Sequence, residues 1–193
     1  MLACLPGLRS QCVFRFESSW AKLTSRIPEP AMTQPVVLAV CLGNICRSPT
    51  AEAALKEAAR AINLPLVVRS AGTGDWHVGR PPDPRMRSAA AAEGLHLDGL
   101  AAQVDAASLA ASHLVLAMDQ SNLADLQRLA AGSRIETDIR LFREFDPLSA
   151  DELDVPDPYY GGAEGFSEVV RIVRRTSRRV VELIEAGELA RVR

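Results

Sequence analysis

PVVLAVCLGNICRSPT, residues 35–50, runs from an unbroken apolar segment through a short loop into the Ala-rich stretch Pro49–Ile62 (PTAEAALKEAARAI). Val36–Val40 reads as a strand buried on both faces, the pattern of a parallel sheet rather than of a half-solvated antiparallel one. Ala54, Leu55, Ala58 and Ala59 recur at helical spacing, and Pro49 falls in the first turn, where a missing N–H is tolerated. A strand is thus followed at once by a helix.

Working outward, the same alternation repeats. Leu66–Ser70 and Leu114–Met118 are further apolar strands, and Ile139–Phe142 is a short fourth. Helical patterns occupy 84–93, opened by the capping pair Asp83-Pro84, then 105–111 and 119–131. A last helix over Ala163–Ala186 places Phe166, Val169, Val170, Val173, Val180 and Ile184 on one stripe, with Arg171, Arg174, Arg175, Arg178 and Arg179 read as its solvated face. The expected fold is α/β, an open four-stranded parallel sheet with helices on both faces, flavodoxin-like. Such sheets bind ligands outside the carboxyl ends of their strands, which directs attention to the loop after Val40.

Composition removes other classes. The 193 residues carry 22 Lys+Arg against 24 Asp+Glu, so there is no basic excess for a nucleic-acid partner. Hydrophobic residues at 48% and charged residues at 24% are ordinary globular usage. No apolar run approaches the roughly 18 residues of a membrane span, so no membrane partner is expected. The four cysteines stand at 4, 12, 41 and 46, which rules out a disulfide framework spread over the fold, and three scattered His give no zinc spacing. Neither a metal nor a cofactor is expected.

Residues 1–31 differ from the rest, holding four bases against two acids with no sustained period and ending on Pro28 and Pro30. They read as a disordered leader, or as a stretch upstream of a true start at Met32, and residues 32–193 as the domain. Arg9, Arg15 and Glu17 interrupt any secretory apolar core, so a cytoplasmic location is expected; a transit peptide is the alternative for this basic, Ser-containing segment.

The loop Cys41–Pro49 connects a strand to a helix N-terminus, where successive backbone N–H groups and the positive end of the helix dipole favour an oxyanion. Gly43 permits positive φ, and Asn44 tolerates the left-handed region. Arg47 offers a planar fork for two oxygens of a tetrahedral anion. No Gly-x-x-x-x-Gly-Lys-[Ser/Thr] occurs, so this is not a nucleotide-binding loop. Cys41 taken alone reads as a core cysteine; at the mouth of such a loop its surroundings favour a thiolate nucleophile, with the Ser48 hydroxyl as its hydrogen-bond donor.

The stretch Val40–Pro49 resembles the signature of the low-molecular-weight protein tyrosine phosphatases. Ser70–Trp76 (SAGTGDW), Met118–Leu123 (MDQSNL) and Asp157–Tyr160 (DPYY) resemble that family's other fixed stretches in the same order, and the likeness covers about Pro35 to Ala186. It implies that Cys41 attacks phosphorus. Arg47 and the amides of Leu42, Gly43, Asn44, Ile45, Cys46, Arg47 and Ser48 would hold the phosphate oxygens, and a cysteinyl-phosphate would form and be hydrolysed. Asp157 matches the general acid and base; Asp83-Pro84 and Asp146-Pro147 look alike in isolation, but only Asp157 leads into Tyr-Tyr-Gly-Gly. A carboxyl beside a dianionic phosphate should hold its proton to higher pH.

Trp76 and Tyr159 match aromatic walls of the substrate pocket, with Tyr160 beside them, and a deep slot would leave phosphoserine short of Cys41. Asp75, His77 and Arg80 are expected to tune peptide docking. Asn44, Ser48 and Ser70 match a network that supports the loop, whose fourth member, usually His, is here Glu93. Cys46 matches a second cysteine that can form a reversible disulfide with Cys41.

The expected activity is hydrolysis of phosphotyrosine, and of small aryl phosphates, on protein substrates by a monomer or weak dimer. A protein-arginine phosphatase is the nearest alternative, although that branch tends to carry Thr where Ile45 stands. A thiol-dependent arsenate reductase would need a further cysteine pair after Cys46. A non-catalytic phosphopeptide-binding module would typically have lost Cys41 or Asp157.

Overall fold

The computed structural model describes residues 34–191, so the expectations for residues 1–31 lie outside the described residues. The element order is β1 (Val36–Cys41), α1 (Arg47–Ala61), β2 (Val67–Gly72), α2 (Pro84–Ala92), α3 (Ala106–Ala110), β3 (Leu114–Ala117), α4 (Gln120–Ser133), β4 (Asp138–Leu141), a 3-10 turn (Phe142–Phe145) and α5 (Ala163–Glu185). The four strands form one all-parallel sheet in the order β2-β1-β3-β4.

β1 shows why the run VVLAVC is apolar throughout. Successive side chains alternate between faces: Val37, Ala39 and Cys41 join the core beneath α1, α2 and α5, whereas Leu38 and Val40 join the core beneath α3 and α4. The chain passes from β1 to β2 on one side and later returns to β3 on the other, so the strand order reverses between β1 and β3. The crevice at that reversal is where an open α/β sheet accepts ligands. Cys41 ends β1 on one side of it, and Asp119 follows β3 on the other.

The elements fall where the periodicity puts them, with physical reasons for the differences. β2 continues through Gly72, because Gly72 pairs with Cys41 and bridges to Gln103. α1 begins at Arg47, so Pro49 is its third residue, still within the turn whose N–H groups lack intrahelical acceptors. Phe142 leaves β4 for the 3-10 turn, fully buried. α5 buries the predicted stripe. Its arginines are not one solvated face, however: Arg174 Nη2 donates to both carboxylate oxygens of Glu57 at 2.9 and 3.0 Å, and Arg175 grips Asp146 through Nε and Nη2 at 2.6 and 2.7 Å. Among the described residues no helix is long and apolar enough to cross a membrane.

Candidate active site

The loop between β1 and α1 turns on its asparagine rather than on its glycine. Asn44 takes the left-handed conformation (φ 54°), while Gly43 does not have positive φ. The glycine that the loop requires is Gly72, across the β1–β2 ladder. A Cβ there would stand 2.7 Å from Leu42 O and 3.1 Å from Asn44 N, both backbone atoms.

Asn44 then organises the underside. Its Nδ2 donates to Ser48 Oγ and Ser70 Oγ, each at 2.9 Å, and its Oδ1 accepts from Ala102 N at 2.9 Å. Ser48 Oγ lies 3.0 Å from Cys41 Sγ and 3.2 Å from Ala71 O, and Asn44 N donates to Cys41 Sγ at 3.3 Å. The Asn44 amide therefore donates to the sulfur, and the Ser48 hydroxyl, whose single proton serves either Sγ or Ala71 O, stands beside it. Ser70 Oγ passes the network on to Glu52 Oε2 at 2.6 Å, and Lys56 pairs with the other oxygen of Glu52. Glu93, which stands where the family usually has His, is exposed, and its backbone carbonyl accepts from Arg174 Nη1. Glu52, one turn into α1, stands in the network instead.

Arg47 is buried, 4% exposed, between two carboxylates: Nη1 donates to Asp119 Oδ2 at 2.6 Å and Nη2 to Asp157 Oδ2 at 2.9 Å. Burial works against its charge, but the negative charges of Cys41 and Asp157 and the Asp119 hydrogen bond hold its guanidinium above the usual arginine range. Asp119 also caps α4, accepting from Asn122 N at 2.7 Å. Its motif was visible in the sequence, but its contact with Arg47, 72 residues distant, was not.

All three Asp-Pro carboxylates accept the N–H two residues ahead: Asp83 from Arg85, Asp146 from Leu148 and Asp157 from Tyr159. Only Asp157 faces the pocket. That cavity, about 350 Å³, is lined by Cys41, Leu42, Gly43, Ile45, Cys46, Arg47, Trp76, His77, Asp157, Tyr159 and Tyr160. His77 shares the wall with Tyr159, their ring centroids 6.4 Å apart. Asp75 and Arg80 are outside the lining. Tyr160, 95% exposed and edge-on to Tyr159, forms a rim rather than a wall. Cys46 is a buried free thiol, pushed up to about 12 by burial first and then by the charges of Asp83, Cys41 and Asp157. A soft nucleophile, a planar cation, an uncapped helix N-terminus and a carboxyl group thus line one cavity, an arrangement suited to an oxyanion.

Comparison with known proteins follows the same geometry. The family model for low molecular weight phosphotyrosine protein phosphatase matches residues 36–189. A low molecular weight protein-tyrosine-phosphatase of Streptomyces coelicolor is 43% identical, over 72% of this chain and 86% of that protein. The crystal structure of YfkJ from Bacillus subtilis superposes with TM-score 0.74 at 34% identity, over 82% of this chain and 99% of that one. That of DARP, a drosophila arginine phosphatase, does so with TM-score 0.73 at 32% identity, over 77% and 97%. With a match that spans every strand and helix from β1 through α5, the chain belongs to the low molecular weight phosphotyrosine protein phosphatase family.

Proposed function

We propose that this protein hydrolyses phosphotyrosine on protein substrates, together with small aryl phosphates, through a cysteinyl-phosphate. The observation that carries this reading is the position of Arg47, fixed between Asp119 and Asp157 in the cavity that Cys41 lines. Cys41 Sγ attacks phosphorus as the bond to the phenolic oxygen breaks. The amides of residues 42–48 and the Arg47 fork hold the three equatorial oxygens as charge redistributes. Asp157 gives its proton to the leaving oxygen. It then takes one from the water that attacks phosphorus, and the Cys41 thiolate departs toward its donors, Ser48 Oγ and Asn44 N.

Trp76 and Tyr159 flank the substrate ring, so reach and stacking together favour tyrosine over serine esters. Cys46 closes a reversible disulfide on oxidised Cys41 and protects it from over-oxidation. A free-thiol nucleophile suits a reducing, cytoplasmic compartment and needs no partner subunit, so a monomer or weak dimer suffices. The structural likeness to DARP keeps phosphoarginine as the second substrate to test. Turnover of phosphotyrosine, phosphoserine and phosphoarginine peptides by the parent and by Cys41→Ser tests the reading. Activity confined to phosphotyrosine and abolished by Cys41→Ser is expected; undiminished turnover in Cys41→Ser would end it.

A further inference from the structure

Arg85, in the first turn of α2, has no part in the steps above, yet its contacts are numerous and directional. Asp83, 9% exposed, accepts from Arg85 N and Nε through Oδ1 at 2.8 and 3.0 Å, and from Nη2 through Oδ2 at 2.8 Å. This fixes the guanidinium plane and leaves Nη1 to donate to Tyr159 O at 3.1 Å. The same guanidinium stacks on two rings, its Cζ 5.2 Å from the Tyr159 centroid and 4.8 Å from that of Phe166 on α5. Tyr159 in turn gives its N–H to Asp157 Oδ1 at 3.0 Å. At the other end, Asp83 N donates to Ile45 O in the phosphate loop at 2.8 Å.

A continuous path therefore runs from the phosphate loop to the proton donor: Ile45, Asp83, Arg85, Tyr159, Asp157. The segment that bears Asp157, residues 146–162, contains neither helix nor strand. A proton donor works only within hydrogen-bond reach of the leaving oxygen, and a displacement of about 1 Å costs about a hundredfold in rate. From this we infer that Arg85 is a positioning residue, latching the Asp157 segment to the phosphate loop and so setting the reach of the general acid; the inference rests on the reading of Asp157 given above. Half of the Arg85 side chain is exposed, so its ion pair contributes little to global stability and variants should fold. Lysine cannot replace it, because an ammonium group cannot grip Asp83 in a fork, reach Tyr159 O and stack at once.

The test is a leaving-group series. Arg85→Ala and Arg85→Lys are expected to lower kcat/KM, which reads formation of the cysteinyl-phosphate and not its hydrolysis, about tenfold or more on phenyl phosphate and a phosphotyrosine peptide, whose leaving groups need the proton, with little change on p-nitrophenyl phosphate. In an Asp157→Asn background, Arg85→Ala should have no further effect, and thermal melts of the single variants should stay near the parent's. A loss uniform across leaving groups, or undiminished in the Asp157→Asn background, would assign Arg85 a purely structural or binding role and overturn the proposal. If Asp157→Asn itself lacked leaving-group dependence, the general-acid reading would fall first and the latch with it.

Discussion

Arg47 Nη2 donates to Asp157 Oδ2 across 2.9 Å, so the cation proposed to grip phosphate and the carboxyl proposed to protonate the leaving group are bonded to each other. An entering phosphate oxygen would take over Nη2 and displace Asp157, exchanging one charge-assisted bond for another. Asp157→Asn keeps the side-chain shape but removes the competing charge. The inhibition constant for inorganic phosphate should fall about fivefold, the equivalent of about 1 kcal/mol for a partly exposed ion pair. Meanwhile kcat on a phosphotyrosine peptide should fall about a hundredfold. Phosphate affinity that weakened would show that Asp157 does not compete for Arg47.

Asp119 holds the opposite arm of Arg47 and also caps α4, and the two roles separate by substitution. Asparagine caps a helix about as well as aspartate, but it cannot balance a buried guanidinium. Asp119→Asn is therefore expected to lower kcat/KM about tenfold with a modest change in Tm. Asp119→Ala should add a loss of about 1 kcal/mol for the missing cap. Equal stability in both variants would argue against the capping role.

What was legible in the sequence was local. β1, its loop and α1 declare themselves through an apolar run, a turn and an Ala-rich period, because each signal is written within a few residues. Contacts between distant segments left no such signal. Asp119 on Arg47, Glu52 on Ser70, and Arg174 and Arg175 on Glu57 and Asp146 all join separate segments beyond the span of any local pattern, and helical spacing alone made the last two arginines look solvated. Gly72 is the clearest case, since in the sequence it lies beyond the expected strand Leu66–Ser70 but in space it ends β2 and admits the phosphate loop against it. Gly72→Ala sets a methyl against Leu42 O and Asn44 N, neither of which can rotate away. A cost of about 1–3 kcal/mol in urea melts is expected, as for overpacking, together with loss of phosphatase activity beyond what the unfolded fraction explains. Full activity per folded molecule would show that the loop relaxes without losing its amide geometry.

Cys46 carries a pH signature. Burial first, then Asp83, Cys41 and Asp157, push its thiol up to about 12 against a smaller opposing pull from Arg85. Only a thiolate attacks a sulfenic acid efficiently. After a peroxide pulse, closure of the Cys41–Cys46 disulfide should accelerate about tenfold per pH unit between pH 7 and 9, read by alkylation trapping and mass spectrometry. Closure at one rate across that range would exclude Cys46 thiolate as the attacking species.

A two-pronged ion pair on the buried Asp146 carboxylate, away from the pocket, predicts the acid limit of the fold. Burial alone would raise the carboxyl of Asp146, but the two hydrogen bonds from Arg175, the Leu148 N–H and the Arg143 charge outweigh it and hold the group below the usual aspartate range. A depressed folded value means that this stabilisation is complete above the unfolded carboxyl's titration near about 4, and drains away as pH falls through the folded value. Urea melts of the parent should therefore lose stability steeply below about pH 4. Asp146→Asn should cost about 2 kcal/mol at pH 7, with the partial exposure of Arg175 tempering the penalty of an unpaired buried charge, and its acid slope should be shallower. Parallel acid slopes in the two proteins would show that other carboxylates set the limit. In that event the contact between the Phe142–Phe145 turn and α5 would owe its strength to Phe142 packing rather than to charge.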